Sequence, residues 1–187
     1  MRTKCLKGFG LIFLSLLAAH PVRAAEPNSS TLHLESAAFK EGGAIPTAYT
    51  CKGANISPPL AWTGVPANAK SLAFIVDDPD APDPAAPKKT VVHWVLFDLS
   101  PETKELPENA SSALPPGAHQ GANDMDNHNY HGPCPPIGRH RYMFKFFALD
   151  TAPELAEGST KAQLEQAMHG HILMQTVLIG TYAVDEK

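Results

Sequence analysis

The stretch Tyr130-His131-Gly132-Pro133-Cys134-Pro135-Pro136-Ile137-Gly138-Arg139-His140-Arg141-Tyr142 gathers imidazoles, phenols, a thiol and guanidinium groups into one short segment. Imidazole, phenol and loop amides can donate hydrogen bonds to a phosphate or a carboxylate, and a thiol beside an imidazole is the raw material of a nucleophile-base pair. Upstream, Asp77-Asp78-Pro79-Asp80 sets three carboxylates so close that they must be solvated or matched with donors. Local sequence reads this run first as an acidic turn. His93 lies inside Thr90-Val91-Val92-His93-Trp94-Val95-Leu96-Phe97-Asp98-Leu99, a run apolar on both faces, and a polar residue there needs a partner. Asp78 or Asp80, at the end of the preceding strand, is the expected one.

The elements that position these groups follow from periodicity. After the stiff loop, in which Pro133, Pro135 and Pro136 fix φ and Gly132 and Gly138 admit close approaches, the chain alternates. His140, Tyr142, Phe144 and Phe146 fall on one face and Arg141, Met143 and Lys145 on the other, the period of a half-buried strand. An apolar face that begins with an imidazole and a phenol describes a small polar pocket at the mouth of a core. Thr31 to Ser36 alternates as a first strand with His33 on its polar side, and Ile45 to Cys51 and Ile56 to Trp62 read as extended segments. Ser71 to Asp77 is a continuous apolar run expected at the centre of a sandwich. Residues 101–129 read as loop, long enough to imply packing around a site. Thr160 with Gln163 forms a capping-box pattern before a short helix with Leu164, Ala167 and Met168 on its apolar stripe, and Ile172 to Val184 gives a last strand weakened at Gly180.

Arg2, Lys4 and Lys7 precede an apolar run from Leu11 to Ala19, and Val22-Arg23-Ala24 resembles a signal-peptidase site. The expectation is a leader over residues 1–24 and one domain over 25–187, exported to the periplasm or secreted. Losing the leader removes four of the 15 basic residues and carries the formal net charge from −4 to −8, which argues against bulk-charge binding of nucleic acid. An anionic ligand must then be held by a local site. Cys51 and Cys134 remain, and an exported compartment permits them to pair, the alternative being two buried thiols. The pairs His128/His131 and His169/His171 match no strong zinc signature, so no metal is expected, and no cofactor motif is present. Short strands, many prolines and one helix indicate a mainly β sandwich with short helical additions.

Taken in order, Ser57-Pro58-Pro59-Leu60-Ala61-Trp62, Asp78-Pro79-Asp80-Ala81-Pro82, His93-Trp94, Gly132-Pro133-Cys134-Pro135-Pro136 and His140-Arg141-Tyr142 resemble the phosphatidylethanolamine-binding protein (PEBP) family, in its bacterial Raf-kinase-inhibitor-like branch. The match runs over nearly all of residues 25–187. It implies an antiparallel β-sandwich with an anion-accepting pocket at one end. The family's pocket residues map onto Asp78, His93, Gly132, Pro135, Pro136, His140 and Tyr142, with Asp80 in support and Tyr130 beside them. Two departures stand out. The loop from Pro136 to His140 is shorter than in the animal proteins, and Cys134 stands where they commonly have glycine; its pairing with Cys51 would belong to this branch.

The expected function is an exported binding protein for a small anion or phospholipid head group, which could also modulate a protein partner, itself unidentified. The oligomeric state is open, a homodimer included. Rival readings are a secreted protease inhibitor or interaction protein whose pocket is only structural and, further off, a Cys/His hydrolase. Against the hydrolase, there is no serine in a Gly-flanked nucleophile elbow and an oxidised Cys134 could not attack.

Overall fold

A computed structural model describes residues 31–184; the expected leader lies outside them. The elements are β1 (His33–Glu35), β2 (Leu60–Thr63), β3 (Ser71–Ala81), β4 (Lys89–Leu99), β5 (Glu105–Leu106), β6 (His119–Gly121), β7 (His140–Leu149), α1 (Lys161–Met168) and β8 (Ile172–Tyr182), with single 3-10 turns at Thr47–Tyr49 and Ala110–Ser112. They form two antiparallel sheets, a three-stranded one in the order β1-β2-β5 and a five-stranded one in the order β6-β4-β3-β7-β8. β3 is the middle strand of the larger sheet, which is why its apolar run needs no polar face.

Each face of the large sheet buries a different set of side chains. Leu72, Phe74 and Val76 of β3, with Tyr142, Phe144 and Phe146 of β7, pack against Leu34, Leu60, Trp62 and Leu106 of the small sheet. The alternate residues Ala73 and Ile75, with Val95, Phe97, Phe147 and Leu149, meet Leu164 and Met168 of α1 on the opposite face. The helix is thus a third layer, and its predicted start is observed, Thr160 and Gln163 bonding reciprocally in a capping box. Phe74, Trp94, Phe144 and Phe146 are fully buried, each contributing about 1.5–3 kcal/mol by leaving water.

A bulge in β4 decides what reaches the site. Val76 pairs with Trp94 but Asp77 pairs with Val92, so one extra residue of β4 enters the ladder around His93. Lys89, Val91 and His93 therefore face the same side as Trp94 and Leu96, a parity that strict alternation forbids and a bulge allows. A second shift, between Leu72↔Leu99 and Phe74↔Leu96, coincides with Asp98 at φ 56° and returns Leu99 to the core. On β3 a further irregularity between Asp78 and Ala81 accommodates Pro79, which cannot donate to a ladder.

Three expectations are corrected. The acidic run is not a turn, because β3 continues through it to Ala81. Ile45 to Cys51 is not extended: Ala44 bridges to Thr181, and Thr47–Tyr49 then closes a 3-10 turn in which the Thr50 hydroxyl donates to the Thr47 carbonyl at 2.9 Å. The 101–129 segment contains β5, β6 and a 3-10 turn, whose brevity left no periodic signal. The weakening expected at Gly180 is a packing requirement, since a Cβ there would lie 2.5 Å from Ile45 Cγ1.

Candidate functional site

Each carboxylate of the acidic run meets its own partner. Asp77 points to the helix face and its Oδ2 accepts from both Lys145 and Lys161. Asp80 takes Arg141 in a two-pronged contact, Nε to Oδ2 at 2.9 Å and Nη2 to Oδ1 at 2.7 Å, and also accepts from the Arg141 amide at 2.9 Å. The hydrogen-bonded guanidinium holds the Asp80 carboxyl below its ordinary range, burial opposing it. Asp78 receives His140 Nδ1 on Oδ2 at 2.7 Å and the Asp80 amide on Oδ1 at 2.8 Å. The carboxylate expected to serve His93 therefore serves His140.

His140 is fully buried, and its Nε2 lies 3.0 Å from the Ile137 carbonyl. Both ring nitrogens face oxygen acceptors, so only the doubly protonated ring makes both bonds at once. His93 instead sets Nδ1 2.7 Å from the His131 carbonyl. A carbonyl can only accept, so Nδ1 carries the hydrogen. The other nitrogen, Nε2, is buried with no hydrogen-bond partner, and so is the hydroxyl of Tyr142, whose ring meets His93 edge-on with centroids 5.2 Å apart. The Cys134 backbone is near enough to Tyr142 to favour its ionised form, but no hydrogen bond of proper geometry reaches the hydroxyl. Burial, reinforced by Asp78, holds that phenol far above its ordinary range.

These residues surround a cavity of about 210 Å³ lined by Asp78, His93, Pro135, Pro136, His140 and Tyr142, together with Ala81, Pro82, Lys89, Val91, Met125 and Cys134. Six of the nine site residues expected from sequence thus meet in one place. Asp80, Tyr130 and Gly132 stand behind the wall. Tyr130 is buried against Trp94 and its hydroxyl donates to the Tyr49 carbonyl at 3.0 Å. Gly132 is needed because a Cβ would sit 2.2 Å from that same carbonyl, while its amide donates to Asn55 Oδ1 at 2.8 Å. Cys134 is bonded to Cys51 with Cα atoms 5.5 Å apart, and the Cys51 amide donates to the Pro133 carbonyl at 3.1 Å. The loop from 130 to 134 is therefore stitched to the 49–55 turn by one covalent and several polar links.

Lys89 is the lining residue with chemistry that sequence reading passed over. It was legible, since Lys89, Val91 and His93 follow at intervals of two along β4. Met125 was not, because the loop that delivers it is shaped by nonlocal bonds: Asp124 Oδ2 accepts from the Val92 amide at 2.8 Å, and the Asp124 amide donates to the Val92 carbonyl at 3.0 Å. Among the described residues no three His, Cys, Asp or Glu side chains converge as a metal site.

The Asp80 contact gives a pH expectation. Its carboxyl is depressed in the folded state, so the stabilisation is present above the ordinary carboxylate range and is lost as pH falls through the depressed value. Arg141→Met removes that depression. Acid unfolding followed by circular dichroism should then begin at a higher pH than in the parent, and an unchanged acid midpoint would contradict this assignment.

A family model described as phosphatidylethanolamine-binding protein matches residues 35–183. A UPF0098 protein from Methanothermobacter thermautotrophicus is 50% identical over 153 residues, covering 81% of this chain and 98% of that protein. Another from Chlamydia muridarum is 44% identical over 154 residues, covering 82% and 100%. Among solved structures, a phosphatidylethanolamine-binding protein homologue from Chlamydia trachomatis aligns with a TM-score of 0.76 at 43% identity, over 84% of this chain and all of the other. Escherichia coli YbcL, described as a member of the mammalian PEBP family, aligns with a TM-score of 0.75 at 30% identity, over 82% and 99%. With the family model spanning almost every described residue and these relatives matched end to end, the chain belongs to the phosphatidylethanolamine-binding protein family.

Proposed function

We propose that the cavity beside His93 and Tyr142 binds a small oxyanion, a phosphate, phosphorylated head group or carboxylate, and that the protein is a binding protein rather than an enzyme. The observation that carries this reading is the pair of buried, unpartnered polar atoms, His93 Nε2 and Tyr142 Oη, on two residues that line one cavity. A buried polar group without a partner costs about 1–3 kcal/mol, so a ligand that completes both bonds is favoured by the site as it stands. Exposed Lys89 adds a cation at the mouth. Against chemistry of the Cys/His type, Cys134 is held in a disulfide and has no thiolate to offer. The same disulfide supports export to an oxidising compartment. Ile137, 57% exposed on the loop that walls the cavity, supports a protein partner docking around the mouth as the biological output.

The test is a thermal-shift titration with inorganic phosphate, phosphoethanolamine and acetate. At a ligand concentration of about 100 Kd, binding to the native state alone adds about 2.7 kcal/mol and raises Tm accordingly. Tyr142→Phe, which deletes the hydroxyl and keeps the ring, should lose most of that rise. No stabilisation by any of the three ligands would reject the anion pocket and leave the interaction reading in its place.

A further inference from the structure

We propose that this pocket accepts its oxyanion only in a form that still carries a proton, such as the monoanion of a phosphate monoester, and rejects an aprotic oxyanion such as sulfate. The inference rests on the reading of the cavity as an oxyanion site and asks which oxyanion its hydrogen-bond pattern fits.

The polar groups of the wall can be counted one by one. Asp78 has spent Oδ2 on His140 and Oδ1 on the Asp80 amide. His140 has spent Nδ1 on Asp78 and Nε2 on the Ile137 carbonyl, so this imidazole, although it lines the cavity, has no hydrogen left to give. What is left over among the buried groups is Tyr142 Oη and His93 Nε2, with the exposed Lys89 ammonium at the mouth, a donor that any oxyanion would meet alike. The hydroxyl can donate. Because His93 uses Nδ1–H on the His131 carbonyl, the Nε2 of its neutral ring is a lone pair, an acceptor.

The ionisable groups around His93 come from every element packed on it: Asp78 from β3, Tyr142 and His140 from β7, Lys89 from its own strand, and His131 and Asp124 from the 122–134 loop. Burial is the largest influence and holds the imidazole below its ordinary range; the His131 side chain acts in the same direction, while its bond to the His131 carbonyl and the carboxylates of Asp78 and Asp124 oppose it. The net is a neutral ring near neutral pH. A ligand seated between Tyr142 and His93 must therefore accept from one and donate to the other. A phosphate monoester monoanion does both, its P–O–H donating to Nε2 and a bare oxygen accepting from Oη. Sulfate has only acceptors and would set its oxygens against the imidazole lone pair. A buried site that hydrogen-bonds a ligand hydroxyl rejects the analogue without it strongly, because its own group is then stranded.

The experiment is isothermal titration calorimetry of the full, disulfide-intact protein with methyl phosphate and with sulfate between pH 5 and 8. Methyl phosphate should bind at least about tenfold more tightly than sulfate near pH 6.5, where a ring held below its ordinary range is mostly neutral. Its affinity should fall by about tenfold per unit above pH 6, where a phosphate monoester loses its second proton. In His93→Gln, whose side-chain amide can donate, the preference over sulfate should shrink. Equal binding of the two anions, both tightening together as pH falls, would overturn the inference, because the proton would then sit on His93. It would leave the oxyanion pocket intact. Binding of neither anion would overturn the pocket and the inference with it.

Discussion

Replacing Cys51 and Cys134 together by alanine is expected to lower stability by up to about 4.5 kcal/mol, the chain-entropy value for the loop of 83 residues that the bridge closes. For a domain of this size that corresponds to a fall in Tm on the order of 10 °C. The native contacts do not predict so large a number. The Cys51 amide, the Gly132 amide and the Tyr130 hydroxyl still tie the two segments together without the bridge, so the folded loop keeps its place. The loss arises in the unfolded chain, which gains the freedom that the crosslink removed. Either single Cys→Ala variant breaks the bridge and should fall nearly as far as the double one. Addition of reductant should lower the Tm of the parent and leave the double variant unmoved. A double variant melting within a degree or two of the parent would mean that the unfolded chain is compact enough to make the bridge redundant.

The same bridge illustrates what sequence could and could not reveal. Two cysteines permit a disulfide in an oxidising compartment, but whether they meet depends on the route of the chain between them. That route turns on Gly132, whose missing Cβ lets the loop press against the Tyr49 carbonyl. The strand carrying His140 and Tyr142 was legible from alternation alone, and all four of its inward residues are buried to within 1% exposure. The capping box was legible for the same local reason. The partner of His93 was not. Periodicity names the face of a residue but not the register between strands, and a β4 bulge aims His93 at the cavity while Asp78 lies closer to His140. The Asp77-Asp78-Pro79-Asp80 run misled because its composition is that of a turn; its three carboxylates are matched by residues 61 to 84 positions away. Local sequence carries no record of such partners.

The second large effect belongs to Asp78. Asp78→Ala should cost about 3–5 kcal/mol, because it strands His140, fully buried, with a nitrogen that has lost its acceptor. The Asp80 amide loses its acceptor in the same step. Arg141→Met also breaks an ion pair, yet the Arg141 side chain is 55% exposed and its loss leaves Asp80 reachable by water, so its cost should be the smaller of the two. A double-mutant cycle separates pair from parts. Asp78→Ala with His140→Ala should be less destabilising than the sum of the single changes, by about 1–3 kcal/mol, since the second truncation removes the group that the first one stranded. Removing the pair also empties two positions of the cavity wall, and the double variant should bind phosphate weakly even where it folds. Chemical denaturation of the four proteins measures the coupling. Strict additivity would mean that water replaces Asp78 at His140 without loss, and the wall of the pocket would then be far wetter than its burial implies.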